Sequence, residues 1–225
     1  MYTGRGMDSS DPIRNLGVLA HVDAGKTSLT ERIGEQLGWR TAYESVVNNP
    51  YLPNFYKDMR TWSFHLQVYF LGHRAKQHQE MAADPRSAII DRSIYEDAYI
   101  FCRALNRMGN LTELDYQTYL QLFNLVVNTL PAPDLLIYLH CPGPTLMERI
   151  QERGRDMESG ITADYLALLE SFYTDWMQTF DLCPVLTIRT DDLDFVHKKK
   201  HLDMVIARIQ DKLAGKEEVV FNKGS

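Results

Sequence analysis

Ala20, His21, Val22, Asp23, Ala24, Gly25, Lys26, Thr27 and Ser28 stand directly after a short apolar run and directly before an amphipathic one. That order predicts a strand, a tight turn and a helix, with successive backbone N–H groups and the positive helix end converging on an anion. Lys26 then reaches the β- and γ-phosphates of a nucleoside triphosphate, and the Thr27 hydroxyl is placed to hold Mg2+. The position usually filled by the first glycine of such a loop is Ala20, whose methyl group requires an ordinary backbone angle.

Four other places carry polar residues at which a sheet edge would present a ligand. Glu44 follows a second strand-like run and is a candidate to take a proton from an attacking hydroxyl, although alone it reads as an ordinary loop acid. Asp91, Arg92 and Ser93 follow Ala88-Ile89-Ile90; an acid there orders Mg2+ or its waters, and the arginine bridges phosphoryl oxygens. Gln67 and Arg74 are seven residues apart and share one face of a helix, with Trp62 little more than a turn before Gln67. An amide beside a ring suits a flat heterocycle, while the plainer reading is an aromatic-rich core helix. Arg149, Arg153 and Arg155 cluster around Gly154 at a helix end, the composition of a lid that closes over a triphosphate or of an exposed charged terminus.

The elements that must position these residues read as alternating strands and helices, hence a parallel sheet. The strands are expected at Leu16–Ala20, Thr41–Tyr43, Ala88–Ile90, Leu135–Leu139 and Val185–Ile188. The helices are expected at Lys26–Leu37, Pro53–Met81, Ile94–Met108, Glu113–Thr129, Pro144–Arg153, Thr162–Met177 and Lys198–Leu213. With 225 residues and 44% hydrophobic content the chain reads as one domain, 15–214, between a polar lead-in, 1–14, and a tail, 215–225. A net charge of −6 gives no global field for nucleic acid or anionic lipid, and no apolar run approaches membrane-spanning length. Three widely spaced cysteines fit buried thiols in a reducing, cytoplasmic compartment and no zinc site.

Taken in order, Glu44, Asn49-Pro50-Tyr51-Leu52, Phe55-Tyr56, Trp62 to Gln67, Arg74, Asp91 to Asp97 and Arg153-Gly154-Arg155-Asp156-Met157-Glu158 closely resemble the deoxynucleoside kinase family. The bacterial deoxyadenosine/deoxycytidine kinase branch is nearest, and the resemblance runs from about Leu16 to Phe195. It implies a P-loop kinase-type three-layer α/β sandwich, with a five-stranded parallel sheet flanked by helices and an arginine-bearing lid. Glu44 matches the carboxylate that deprotonates the sugar 5′-hydroxyl. Lys26 and Thr27 bind phosphates and Mg2+, with Asp91 and Arg92 completing the transfer site for a phosphoryl group of ATP or another triphosphate. Tyr56 and Glu158 match the pair on the 3′-hydroxyl; Gln67, Arg74 and Asp97 match the base-reading set, with Trp62 in the pocket wall. Arg149, Arg153 and Arg155 match the lid arginines, and Asp191, Asp192, Leu193, Asp194 and Phe195 lie where the donor base is held. The resemblance also implies a homodimer built from the long helices and inhibition by the end-product triphosphate.

The phosphate loop departs from this family, since Ala20 to Thr27 is more similar to the loop of translational GTPases. A GTPase also needs an Asp-x-x-Gly switch and an Asn-Lys-x-Asp guanine reader, and neither is present. A nucleoside monophosphate kinase would need further cations for its acceptor's phosphate. Ionised Asp97 only accepts hydrogen bonds, whereas Gln67 both donates and accepts. Adenine and cytosine each offer an amino donor beside a ring-nitrogen acceptor; guanine and thymine put a carbonyl there. The expected substrates are therefore deoxyadenosine and deoxycytidine, the alternative within the family being a deoxyguanosine kinase.

Overall fold

The computed structural model describes residues 14–20, 24–43, 49–154, 161–191 and 193–215. His21, Val22, Asp23, Glu44, Arg155, Glu158 and Asp192 lie outside them, as does the Arg153 side chain. Five parallel strands, β1 (Asn15–Ala20), β2 (Arg40–Ala42), β3 (Ala88–Asp91), β4 (Leu135–His140) and β5 (Val185–Arg189), pair in the order β2-β3-β1-β4-β5. The helices are α1 (Lys26–Leu37), α2 (Leu52–Lys57), α3 (Met59–Ala82), α4 (Ile94–Glu96), α5 (Arg103–Arg107), α6 (Glu113–Val127), α7 (Gly143–Arg153), α8 (Ala163–Thr179) and α9 (Lys199–Leu213).

Alternation along the central strands separates two cores and so makes three layers. Leu16, Val18 and Ala20 of β1 and Leu135, Ile137 and Leu139 of β4 face Leu29 and Ile33 of α1, Leu146 and Ile150 of α7, and Val205 and Ile209 of α9. Leu19, Leu136 and Tyr138 face the other way, toward Leu71 of α3, Tyr119 and Phe123 of α6, and Leu169, Tyr173 and Trp176 of α8. Both faces being covered explains why the inner strands β1, β3 and β4 read as nearly continuous apolar runs. β1 is central, with β3 and β4 on either side, so the carboxyl ends of these three strands form the crevice where ligands of such sheets bind.

Two expected helices differ in detail. Pro53–Met81 is broken at Asp58, whose backbone (φ −151°, ψ 85°) leaves the helix while its carboxylate caps α3 by accepting from the Thr61 N–H at 3.1 Å. Ile94–Met108 contains a π-helical segment, Asp97–Cys102, between α4 and α5. Lys26–Leu37 is found as expected and the remaining boundaries shift by at most two residues, including β2, which ends at Ala42 and not at Tyr43. Cys102 and Cys141 are buried, Cys183 is half-buried, and none is paired.

His78 of α3 is buried, with Nε2 donating to the Pro131 carbonyl at 2.8 Å, and burial holds its pKa below the ordinary 6.5. As pH falls through 6.5 the unfolded chain takes up a proton that the folded chain refuses, so stability declines below that pH. Tm is expected to drop between about pH 7.5 and 5.5 and to drop less in His78→Gln. Equal drops in the two proteins, followed by thermal melts, would remove His78 as the cause.

Candidate functional site

The phosphate-loop end of β1 is built from buried groups. Ala20 is fully buried and its backbone angle is ordinary, as its methyl group requires. Gly25 caps α1 with φ +93°, and a Cβ there would stand 2.8 Å from the Phe195 ring, so the position excludes a side chain on both counts. The Lys26 ammonium donates to the Ala20 carbonyl at 2.6 Å, and the Thr27 hydroxyl donates to Asp91 Oδ2 at 2.5 Å. Asp91 ends β3 in register with Val18, which is what brings an acid from a distant segment to Thr27. Hydroxyl and carboxylate are hard oxygen donors, and Mg2+ sites use one or two carboxylates completed by substrate phosphates, so this pair fits that ion. No cluster of three or more acidic, histidine or cysteine side chains suited to a metal occurs among the described residues.

Arg92 adopts φ +73°, the one non-glycine residue at positive φ among those described, with its N–H donating to the Val18 carbonyl at 2.9 Å. Such backbone costs about 1 kcal/mol or more and persists where surrounding structure over-determines it. The turn lifts the guanidinium to 4.4 Å above the Phe101 ring and puts Nε 3.5 Å from Glu96 Oε2. Ser93 then caps α4 by accepting from the Tyr95 N–H at 3.2 Å.

The expected base-reading residues converge. Gln67 and Arg74 both lie on the buried face of α3, with Ser63, Leu71, His78 and Met81. Asp97 opens the π-helical segment and pairs with Arg74, both side chains being 4% exposed. A π turn shifts the register of the side chains that follow, and such turns concentrate at functional sites. Burial, with Asp97 next in weight, pushes the Tyr119 phenol and the Cys102 thiol well up, so both stay neutral beside this ion pair. Gln67 Oε1 is buried and has no hydrogen-bond partner among the described residues, an acceptor available to a ligand. Trp62 packs on Tyr51 and His65, with centroids at 6.0 and 5.3 Å, at the α2 end of this wall. Tyr56 stands on α2, 48% exposed.

Beyond β5, Arg149 Nη2 donates to the Thr190 carbonyl at 2.8 Å, tying α7 to the loop after β5. Gly154 ends α7 in the left-handed conformation (φ +60°), directly after Arg153. Asp191 accepts from Arg189, Asp194 Oδ1 accepts from the His197 N–H, and Phe195 is buried against Gly25. Leu193 packs against the same core as Phe195. Two residues given no role from sequence, Glu96 and Tyr173, lie under the phosphate-loop strand. Glu96 was detectable as an acid one helical turn after Arg92, whereas Tyr173 carries no local signal.

A family model described as deoxynucleoside kinase matches residues 17–214. The chain is 38% identical over 194 residues to the deoxyadenosine/deoxycytidine kinase of Bacillus subtilis (strain 168), covering 85% of this chain and 89% of that protein. It is 35% identical over 201 residues to the deoxyguanosine kinase of Lactobacillus johnsonii, covering 85% and 89%. The solved structure of deoxyadenosine kinase from M. mycoides, with products dCMP and a flexible dCDP bound, aligns with a TM-score of 0.75 at 29% identity, over 88% of this chain and 99% of that one. The architecture is the P-loop kinase fold. With its phosphate-loop strand, lysine and acid–arginine turn in one crevice, this chain belongs to the deoxynucleoside kinase family and is a phosphotransferase.

Proposed function

We propose that the enzyme transfers the γ-phosphoryl group of ATP to the 5′-hydroxyl of deoxyadenosine and deoxycytidine, serving nucleotide salvage in the cytoplasm. The observation that carries this reading is the buried set of Gln67 and Arg74 on one face of α3, with Asp97 paired to Arg74, in a fold that also brings Asp91 to Thr27 beside Lys26. Gln67 and Asp97 read the edge of the base, with Arg74 paired to Asp97 and holding it in place. Tyr56 and Glu158 fix the 3′-hydroxyl, and Trp62 closes the wall. Glu44 accepts the 5′-hydroxyl proton as that oxygen bonds to the γ-phosphorus, and the β–γ bridging oxygen departs with ADP. Lys26, Arg92 and the lid arginines Arg149, Arg153 and Arg155 neutralise the charge spread over the transferring group. Mg2+, when held by Thr27 and Asp91, supplies further neutralisation of the β- and γ-oxygens. Leu193, Asp194 and Phe195, with Asp192, line the donor-base side.

The base preference has a direct test. A guanine carbonyl opposite Asp97 sets an acceptor against an acceptor, and a buried polar group left unpaired costs about 1–3 kcal/mol, more when charged. In a four-nucleoside competition with ATP, kcat/KM for deoxyadenosine and deoxycytidine is expected to exceed that for deoxyguanosine by about 10²-fold. Highest efficiency with deoxyguanosine would instead assign the enzyme the specificity named for its L. johnsonii relative. The M. mycoides relative, named a deoxyadenosine kinase and solved with dCMP, shows one such protein holding a second base type.

A homodimer is supported by α6, where Leu114, Leu122 and Leu125 lie on one side of the helix at 77%, 38% and 69% exposure. No helix among the described residues is long and apolar enough to cross a membrane.

A further inference from the structure

We propose that Glu96 and Tyr173 are positioning residues that fix the end of β1, and through it Lys26 and Arg92, for phosphoryl transfer. This rests on the phosphotransfer reading above and extends it to residues that meet neither substrate. Glu96 is fully buried, and its Oε1 accepts from the Ala20 N–H at 3.1 Å and from the Tyr173 phenol. The same phenol lies 2.9 Å from the Ala20 carbonyl, which also receives the Lys26 ammonium at 2.6 Å. The other carboxylate oxygen faces Arg92 Nε at 3.5 Å. Both polar groups of Ala20 and the strained arginine therefore meet one buried carboxylate–phenol pair, and the lysine of the phosphate loop joins it through the Ala20 carbonyl.

The geometry is over-determined from several sides. Tyr173 is fully buried and stacks on Tyr138 with centroids 5.1 Å apart at 18°. Burial and then Glu96 push its phenol well above the ordinary range, so it remains a hydrogen-bond donor. A buried carboxylate is a poor source of stability, since apolar residues of similar volume often serve as well or better. What it supplies is direction: a fixed acceptor for the last amide of β1 and a fixed counter-charge that holds Arg92 in its left-handed turn. Ala20 occupies the position usually held by glycine, so in this chain the strand end is set by side chains packed beneath it.

Tyr173→Phe keeps the stacked ring and removes the hydroxyl; Glu96→Gln keeps an acceptor for Ala20 and removes the charge opposite Arg92. Each is expected to lower kcat about 10- to 100-fold with KM for the deoxynucleoside held within about twofold, since small misplacements of reacting groups act on the transition state. Combining Glu96→Gln with Arg92→Lys is expected to cost less than the product of the two single losses. A kcat within about twofold of wild type in folded Tyr173→Phe, whatever its Tm, overturns the proposal, and so does a raised KM at unchanged kcat. Fully multiplicative losses in the double variant overturn the route through Arg92. Tyr173→Phe decides if Glu96→Gln does not fold. Failure of the underlying reading is separate: the wild-type enzyme itself would then leave deoxynucleosides unphosphorylated in the presence of ATP.

Discussion

Arg155→Ala is expected to lower kcat by about 10³- to 10⁵-fold, the range that a transition-state arginine supplies to phosphoryl transfer. That factor corresponds to about 4–7 kcal/mol of barrier. The change in stability should be far smaller. A cation just beyond a helix C-terminus interacts with the helix dipole for about 1 kcal/mol or less at an exposed site. Gly154 already ends α7, its N–H bonding to the Ile150 carbonyl at 3.1 Å, so helix termination does not depend on residue 155. Steady-state kinetics beside a thermal melt separates the two effects. Turnover within tenfold of wild type at saturating ATP would take Arg155 out of the lid. Arg149 offers the contrast, because its guanidinium is engaged with the Thr190 carbonyl.

Glu44→Gln is the second large effect, an expected loss of about 10² to 10⁴ in kcat at unchanged fold. Glutamine keeps the size and hydrogen-bonding reach of the side chain but cannot take the 5′-hydroxyl proton. KM for deoxynucleoside should therefore move little, and the loss should appear in the chemical step. β2 reaches Ala42 in register with Ile90, the residue before Asp91, so this strand and β3 end at the same carboxyl edge of the sheet. Wild-type turnover in Glu44→Gln would remove it from the mechanism and shift attention to Asp91, the other acid at that edge.

What could be read from residues alone follows physical lines. The inner strands β1, β3 and β4 were legible because strands covered on both faces are apolar almost throughout, whereas the edge strands β2 and β5, half-exposed, were found from their place between helical stretches. Gln67 and Arg74 were legible because a separation of seven places two side chains on one helical face, and both are buried there. Thr27 and Asp91 were read as a pair through chemistry, and parallel register puts them in contact. The break at Asp58 was visible only in retrospect, as an acid three residues before Thr61 whose N–H it caps. The π-helical segment at Asp97 and the left-handed turn at Arg92 carry no local signal, since the second is held by the distant Val18 carbonyl. Glu96 and Tyr173 meet across 77 positions, a contact no periodicity reports.

The break at Asp58 leaves α2 as a six-residue piece with no buried residue of its own. A segment with so little apolar anchorage opens at a small fraction of the free energy needed to unfold the whole domain. Tyr56 rides on that segment, while Gln67 and Arg74 belong to the 24-residue helix beyond the break. On the proposed assignment of Tyr56 to the sugar and of Gln67 and Arg74 to the base, the division would make the heterocycle's receptor rigid and the carbohydrate's receptor yielding, so nucleosides with altered sugars should be accommodated more readily than nucleosides with altered bases.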